Sequence, residues 1–216
     1  RDTAKPQVIK HSPPSWATPF AKPPQAPVKA HSPSDLGGDK VLPGGAPQGA
    51  ENAKRMGTAV HRLLEVLPNA PQDQWGNIAQ RLVEADIQAA AFQEARAVLQ
   101  KPELAYIFAP ESLAEVDISA HLPELNGDPI QGSIDRLLIS PTRVLAVDFK
   151  SNQIVPSEVA QVPSGLLRQM GAYAAALSQI YPHHDIETAI LWTKTLELMP
   201  LPPDLVISSL ANTSPA

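Results

Sequence analysis

The chain has 216 residues, which is enough for one domain with a hydrophobic core and an additional tail. It contains no cysteine, so disulfides, zinc–thiolate sites and cysteine-ligated iron–sulfur clusters are excluded, and a metal would need oxygen and imidazole ligands. The net charge of −5 gives no electrostatic support for nucleic-acid binding, which usually shows as a basic surplus. No apolar run approaches the roughly 20 residues that cross a bilayer and no signal segment is recognisable, so we expect a soluble, cytoplasmic protein.

The first 51 residues form a proline-rich segment that holds ten of the chain's 24 prolines. Proline fixes φ and removes backbone donors, so residues 1–51 are predicted to be an extended linker that does not fold alone. Within it, Trp16 and Phe20 could either dock on a neighbouring domain or remain exposed. The chain begins with Arg1 instead of methionine, which favours a fragment of a longer polypeptide.

Two helical patterns follow the linker. Apolar residues recur at helical spacing from Asn52 until Pro68 ends the run. A second amphipathic stretch covers about residues 72–99, with a break expected near Ala91. The folded domain, residues 52–205, is therefore predicted to open with a helical layer.

Beyond residue 112 the apolar period shifts towards two, which indicates strands. Three successive segments show this period and predict an antiparallel meander: SLAEVDISAHL, PIQGSIDRLLIS and RVLAVDFKS. An alanine-rich helix then covers residues 164–181, and a final strand covers residues 186–194. Residues 206–216 are predicted to form a fraying C-terminal tail.

The segment VDFK, residues 147–150, places an acid and a lysine on one face of an otherwise apolar strand. Neither Asp148 nor Lys150 can be buried without a partner at low cost. Asp135 lies on the preceding strand, and a hairpin would bring the two carboxylates side by side, where they repel unless a cation joins them. Oxygen ligands favour Mg²⁺ or Mn²⁺, and His61 on the first helix could add a nitrogen ligand.

Each of these residues also has a purely structural interpretation. Asp148 and Lys150 could form a same-face ion pair at the end of the strand. His61 could be an ordinary core or surface histidine, and Asp135 could pair with Arg136 near a turn. The combination is more specific than its parts, because the aspartate–lysine pair follows a strand that also ends in an acid.

Four segments resemble the PD-(D/E)XK nuclease superfamily in its RecB-like branch: GTAVH, GSIDRL, VDFKS and RQMGAY. The segments LLRQMGAYAAAL, AILWT and LMPLP are similar to the C-terminal nuclease domain of the AddA-type subunit of bacterial helicase–nucleases. The likeness covers about residues 53–205. It implies an α/β fold of the α+β type, the restriction-endonuclease-like fold, with a central mixed sheet flanked by helices.

The resemblance also implies roles for individual residues. It assigns metal binding to His61, Asp135 and Asp148, together with the backbone carbonyl of Phe149. It also assigns a catalytic role to Asp135 and Asp148, and makes Lys150 the catalytic lysine.

Further candidates lie on other elements. Glu115, on the strand before, is at a position where related enzymes often carry an acid. Gln169 and Tyr173 match the family's helical motif and are implied to be catalytic. They are four residues apart and therefore share one face of the helix. The structural alternative is that this face is an ordinary, partly exposed helix surface. The candidates for contacts with DNA phosphates are Arg62, Arg136 and Arg168.

As a whole, the resemblance implies a Mg²⁺-dependent deoxyribonuclease, an exonuclease in which Mn²⁺ can substitute and which has no iron–sulfur cluster. The substrate would be single-stranded DNA with 3′ or 5′ ends, fed by an ATP-binding helicase portion of the same polypeptide. An AddB-type partner subunit, a bacterial cytoplasm and double-strand break repair by homologous recombination complete the implied setting. Two alternatives remain open: a catalytically silent module of this fold for subunit assembly or DNA binding, and a structural domain whose charged residues form only ion pairs.

Overall fold

The structure of the protein is a computed structural model that describes residues 29–42 and 49–213. Its helices are α1 (Ala50–Val66), α2 (Trp75–Leu82), α3 (Ala85–Gln100), α4 (Ser164–Ile180) and α5 (Pro203–Ala211). Its strands are β1 (Leu113–His121), β2 (Pro129–Ile139), β3 (Arg143–Lys150), β4 (Asp185–Trp192) and β5 (Glu197–Leu201). Within these described ranges, no helix combines the length and the apolar character that a membrane span needs.

Within the described residues, one mixed sheet contains five strands in the order β1-β2-β3-β4-β5. The first three strands form the predicted antiparallel meander. Strand β4 is parallel to β3, with α4 as the crossover that a parallel pair requires, and β5 returns antiparallel to β4. The sequence prediction ended with the strand at residues 186–194 and did not include β5. Its Pro200 is tolerated because β5 is an edge strand.

The sheet separates two hydrophobic cores. Side chains alternate between the faces of a strand, so β3 directs Leu145, Val147 and Phe149 into the core with α1 and α3. Val144 and Ala146 of the same strand lie in the core with α4 and α5. Both layers of helices therefore pack on β3, the strand that carries the aspartate–lysine pair.

The break between α2 and α3 lies earlier than predicted. Val83 has extended backbone and Glu84 also lies outside both helices, whereas Ala91 is fully buried within α3. Arg55 of α1 forms salt bridges with Glu84 and Asp86 at this break, so the break lies in contact with another helix. The local apolar pattern does not contain this information.

The prediction of a fraying tail is wrong for residues 206–211, which belong to α5. Val206 and Leu210 are fully buried against α4. The two helices approach closely at Gly171, where an added Cβ atom would clash with the carbonyl oxygen of Val206. The apolar stripe of α5 spans little more than one turn, so its burial depends on this groove in α4.

Part of the predicted linker is docked on the domain. The carbonyl of Asp39 accepts a hydrogen bond of 2.8 Å from the backbone N–H of Gly165, in the first turn of α4. Leu36 is buried, and Gly38 has a φ of +85°, a conformation that favours glycine. A Cβ atom at Gly38 would lie 2.7 Å from the Gly165 nitrogen, so glycine is needed for this approach. Residues 1–28, including Trp16 and Phe20, lie outside the described residues.

The contact between α4 and α5 generates a stability prediction. We expect Gly171→Ala to lower the free energy of unfolding by about 1–3 kcal/mol, because the added methyl group pushes α5 away from α4. The matched control is Gly76→Ala in α2, where a Cβ atom would meet nothing within 4 Å. It should be neutral or stabilising by up to about 1 kcal/mol. Urea denaturation measures both, and equal midpoints for the two variants would contradict the packing of α5.

Candidate active site

The candidate site lies where β2 and β3 separate. Their paired positions run from Ile139↔Val144 to Arg136↔Val147. The next position in the same register would set Asp135 opposite Asp148, and directly opposed residues of an antiparallel pair are neighbours. The hairpin thus brings the two predicted acids to adjacent places at the open end of the ladder.

The Asp135 carboxylate joins β2, β3 and α1. Its Oδ2 accepts a hydrogen bond of 2.5 Å from the backbone N–H of Phe149, and its Oδ1 lies 3.2 Å from Nδ1 of His61. Burial favours a higher pKa for this carboxyl, but the hydrogen bond and charge of His61 and the charge of Lys150 lower the pKa below its usual value. Asp135 is therefore an ionised carboxylate at neutral pH, and its oxygens can bind a cation.

His61 bridges Asp135 and the other strand. Its Nε2 lies 3.0 Å from the carbonyl oxygen of Phe149, so both ring nitrogens face an acceptor. Burial favours a lower pKa for His61, yet the hydrogen bond and charge of Asp135 raise the pKa above its ordinary value. Three of the implied metal ligands, His61, Asp135 and the Phe149 carbonyl, thus meet within hydrogen-bonding distance.

Asp148 and Lys150 project towards α4, on the other face from Phe149. Asp148 is buried; its Oδ1 accepts a hydrogen bond of 2.7 Å from Nε2 of Gln169, and its Oδ2 pairs with the ammonium of Lys150. Burial raises the pKa of Asp148 above the usual carboxyl value, and the charge of Lys150 offsets this only in part. Asp148 and Lys150 thus form the ion pair that the purely structural interpretation predicted, and this pair lies in the same cluster of charges as Asp135.

Gln169 and Tyr173 occupy one face of α4, as predicted, but that face is not exposed. Both side chains are buried, which excludes the alternative of an ordinary surface. The Tyr173 hydroxyl donates a hydrogen bond of 2.6 Å to the carbonyl of Ser133 and lies 3.3 Å from Nε2 of Gln169. Burial raises the pKa of Tyr173, so the phenol stays neutral. Through these contacts α4 is joined to both β2 and β3.

Glu115, on β1, belongs to the same cluster as His61 and Asp135. One ligand atom each from Glu115, His61 and Asp135 lie within 4.8 Å of one another. The β1–β2 pairing includes Ala114↔Arg136 and Val116↔Ile134 but skips Glu115, whose φ is +48°. Left-handed backbone is costly for a residue other than glycine and is concentrated at functional sites. The flanking pairs place Glu115 beside Asp135 across the two strands, and this register is not specified by the sequence of either strand alone.

A cavity of about 380 Å³ opens onto this cluster from the side of α1. Its lining residues are Gly57, Thr58, His61, Arg62, Glu65, Glu115 and Asp135. A Cβ atom at Gly57 would lie 3.0 Å from Oγ of Ser151, so glycine lets α1 approach the residue that follows β3. Although Glu115 is exposed, partial desolvation of its carboxyl group, with the charge of Asp135 as a second cause, raises its pKa.

The three arginines predicted to contact DNA have different environments. Arg136 is only 2% exposed; it donates a hydrogen bond of 2.7 Å to the carbonyl of Leu64, and its guanidinium lies over the Phe108 ring. The prediction of a DNA contact is therefore wrong for Arg136, which instead joins β2 to the end of α1. Arg168 is half-buried against the docked N-terminal segment. Arg62 is exposed at the mouth of the cavity.

The chain belongs to the PD-(D/E)XK nuclease superfamily, whose family model matches residues 36–198. The predicted fold, an α+β arrangement with a mixed sheet flanked by helices, is thereby confirmed. The matched region includes the docked residues from Leu36 onwards. A comparison with curated proteins gives no match.

Solved structures that resemble the chain include the crystal structure of a protein from Eubacterium rectale described as a candidate exonuclease. The two chains are 12% identical with a TM-score of 0.48, over 72% of this chain and 62% of the other. This chain thus covers less than two thirds of that protein. A similarity at this level adds nothing to the family assignment.

The opposite pKa shifts of the two aspartates generate a prediction for the protein without divalent cations. Ionised Asp148 is unfavourable in the fold, because its pKa is raised, so its contribution to stability falls as pH rises through the raised pKa. At pH 7 Asp148→Asn should leave the free energy of unfolding unchanged or raise it slightly. Asp135→Asn should lower it by about 1–3 kcal/mol, since a stabilised charge is lost. Urea denaturation in a chelator would contradict this reasoning if both changes had the same sign.

Proposed function

We propose that this chain is a nuclease domain that hydrolyses phosphodiester bonds of single-stranded DNA with the help of a divalent cation. The observation that carries the proposal is the convergence of His61, Asp135 and Glu115 beside the Asp148–Lys150 pair, at the open end of one strand ladder. Membership in the PD-(D/E)XK nuclease superfamily supports it.

The donor atoms at this point suit a hard cation. Carboxylate oxygens, one imidazole and a backbone carbonyl are ligands for Mg²⁺ or Mn²⁺, and the cysteine-free sequence offers no thiolate. We propose that His61, Asp135, Asp148 and the Phe149 carbonyl hold the ion, with Glu115 as a further ligand. When bound, Mg²⁺ would polarise a phosphate oxygen and lower the pKa of a coordinated water.

The remaining residues of the site would orient groups and balance charge. Lys150 is a compact ammonium beside the acids, and it would orient the attacking water and balance negative charge on the phosphate. Gln169 holds Asp148 by a hydrogen bond, and Tyr173 anchors α4 on β2; their role in catalysis would be exerted through this arrangement. Arg62, exposed at the cavity mouth, would contact a DNA phosphate, with Arg168 as a second candidate.

We further propose an AddA-type helicase–nuclease as the setting. The segments LLRQMGAYAAAL and AILWT support it, as does the absence of the cysteines that an iron–sulfur cluster needs. An ATP-driven motor in the same polypeptide would feed single-stranded DNA with 3′ or 5′ ends to the domain, next to an AddB-type subunit. The net charge of −5 fits a domain that relies on another part for DNA affinity. The process would be cytoplasmic double-strand break repair by homologous recombination.

In this setting the proline-rich part of residues 1–51 would connect the motor to the nuclease domain, residues 52–205. The docked segment around Leu36 and Asp39 would be the point where the connection meets α4. An exonuclease activity would follow from the delivery of strand ends by the motor.

One observation favours a second candidate, a catalytically silent module for subunit assembly or DNA binding. Lys150 and Gln169 already satisfy both oxygens of Asp148 within the protein. A domain that had lost catalysis could keep this pair as a structural contact. The two candidates differ in whether Lys150 matters to the chemistry.

The test compares Lys150→Ala with Asp135→Ala in cleavage of labelled single-stranded DNA with Mg²⁺, and in Mn²⁺ binding by calorimetry. Lys150→Ala removes the ammonium and keeps the proposed ligands, so Mn²⁺ affinity should persist or rise while cleavage falls by a factor on the order of 10² or more. Asp135→Ala should lose both.

A matched control for the removal of a positive charge is Arg81→Ala, on the exposed surface of α2. It should bind Mn²⁺ and cleave DNA as the unaltered chain does. Cleavage at the unaltered rate by Lys150→Ala would leave the lysine as an ion-pair partner only. No cleavage by the unaltered chain with either cation would favour the silent module.

A further inference from the structure

A second buried polar cluster lies behind the end of β3, on the face of the sheet that packs on α3. It joins Glu94, on α3, with Thr193 and Lys194, which directly follow β4. Glu94 is 9% exposed and Thr193 is 1% exposed. The nuclease proposal above gives none of the three a role.

Both oxygens of the Glu94 carboxylate are in contact with this cluster. The Thr193 hydroxyl donates a hydrogen bond of 2.5 Å to Oε1, and the ammonium of Lys194 lies 2.6 Å from Oε2. The contact with Lys194 is an ion pair whose geometry is too oblique for an aligned hydrogen bond. Lys194 therefore balances the charge of the Glu94 carboxylate, and Thr193 supplies its aligned hydrogen bond.

Thr193 connects this cluster to the candidate active site. Its backbone N–H donates a hydrogen bond of 3.0 Å to the carbonyl of Lys150, and its hydroxyl lies 3.3 Å from the same oxygen. The hydroxyl has a single proton, and the shorter contact with Glu94 fixes its direction and therefore the rotamer of Thr193. The paired positions of β3 and β4 run up to Lys150↔Trp192, so Thr193 holds the strand where the ladder ends.

Stability alone does not account for this arrangement. A buried ion pair is weak evidence for stabilisation, because removing two charges from water offsets much of their attraction, and apolar residues of similar volume often serve a fold as well. What the cluster adds is orientation: the Glu94 carboxylate holds the Thr193 side chain, and the Thr193 backbone N–H holds the carbonyl of Lys150. The neighbouring carbonyl, that of Phe149, faces His61.

We propose that Glu94 and Thr193 are positioning residues for the nuclease reaction, holding the end of β3 so that Lys150 and the Phe149 carbonyl keep their places in the site. The proposal rests on the nuclease function proposed above. Glu94 and Thr193 act from the face of the sheet opposite to α4. The end of β3 is thus held from that side by Thr193, and at Asp148 by Gln169 from the other.

The first test replaces the hydroxyl in the full chain. Thr193→Val keeps the branched shape and removes the hydrogen bond to Glu94, so kcat for single-stranded DNA should fall about 10- to 100-fold with KM unchanged, as expected for a misplaced reacting group. Thr193→Ser keeps the hydroxyl and should restore the rate to within about 2-fold. A structural role alone would not separate kcat from KM or be rescued by serine.

The matched control is Lys101→Ala. Lys101 lies just after α3 and donates a hydrogen bond of 2.7 Å to the carbonyl of Leu196, between β4 and β5. It therefore joins the same helix to the same hairpin without touching Lys150. It should lower the thermal midpoint and leave kcat unchanged; an equal loss of kcat in Lys101→Ala and Thr193→Val would mean general loosening and would overturn the positioning role.

The second test needs no activity. Amide hydrogen exchange across residues 149–152 should be faster in Thr193→Val than in the unaltered chain, and unchanged in Thr193→Ser and Lys101→Ala. If the unaltered chain does not cleave DNA, the proposed function fails and this role with it. If the chain cleaves DNA and Thr193→Val changes neither kcat nor exchange, only the positioning role is wrong.

Discussion

The Asp135 carboxylate is the contact on which the rest of the site depends. Where the β2–β3 ladder ends, its Oδ2 takes the place of a backbone carbonyl and accepts the N–H of Phe149. The strands can therefore separate without leaving that donor unsatisfied, which would be costly in a buried position. The opening formed in this way is the place where His61 of α1 reaches the carbonyl of Phe149.

The pKa values of the two acids at this opening are shifted in opposite directions. His61 and Lys150 lower the pKa of Asp135 against the effect of burial, whereas burial raises the pKa of Asp148 despite its ion pair. Each acid is also attached to a different helical layer, Asp135 to α1 and Asp148 to Gln169 of α4. The candidate site is thus assembled from both faces of the sheet, and it exists only when both layers are packed.

Helix α4, which holds Asp148 at the end of β3 through Gln169, is itself contacted by two other segments. The docked segment before α1 contacts its first turn at Gly165, and α5 packs at Gly171. Both contacts depend on glycine, because the approaching backbone occupies the space of a Cβ atom. Between them lies Gln169, so the parts of the chain that the sequence indicated as linker and tail support the residue that holds Asp148.

The sequence by itself determined the order of helices and strands as far as β4, the antiparallel meander, and the positions of Asp135, Asp148 and Lys150, because periodicity and spacing along one strand are local properties. Only the tertiary structure decided that Glu115 lies in the cluster and that Arg136 is buried. Both outcomes depend on the register between strands and on which helix covers which face. These are contacts between residues far apart in the chain, and no local pattern of side chains specifies them.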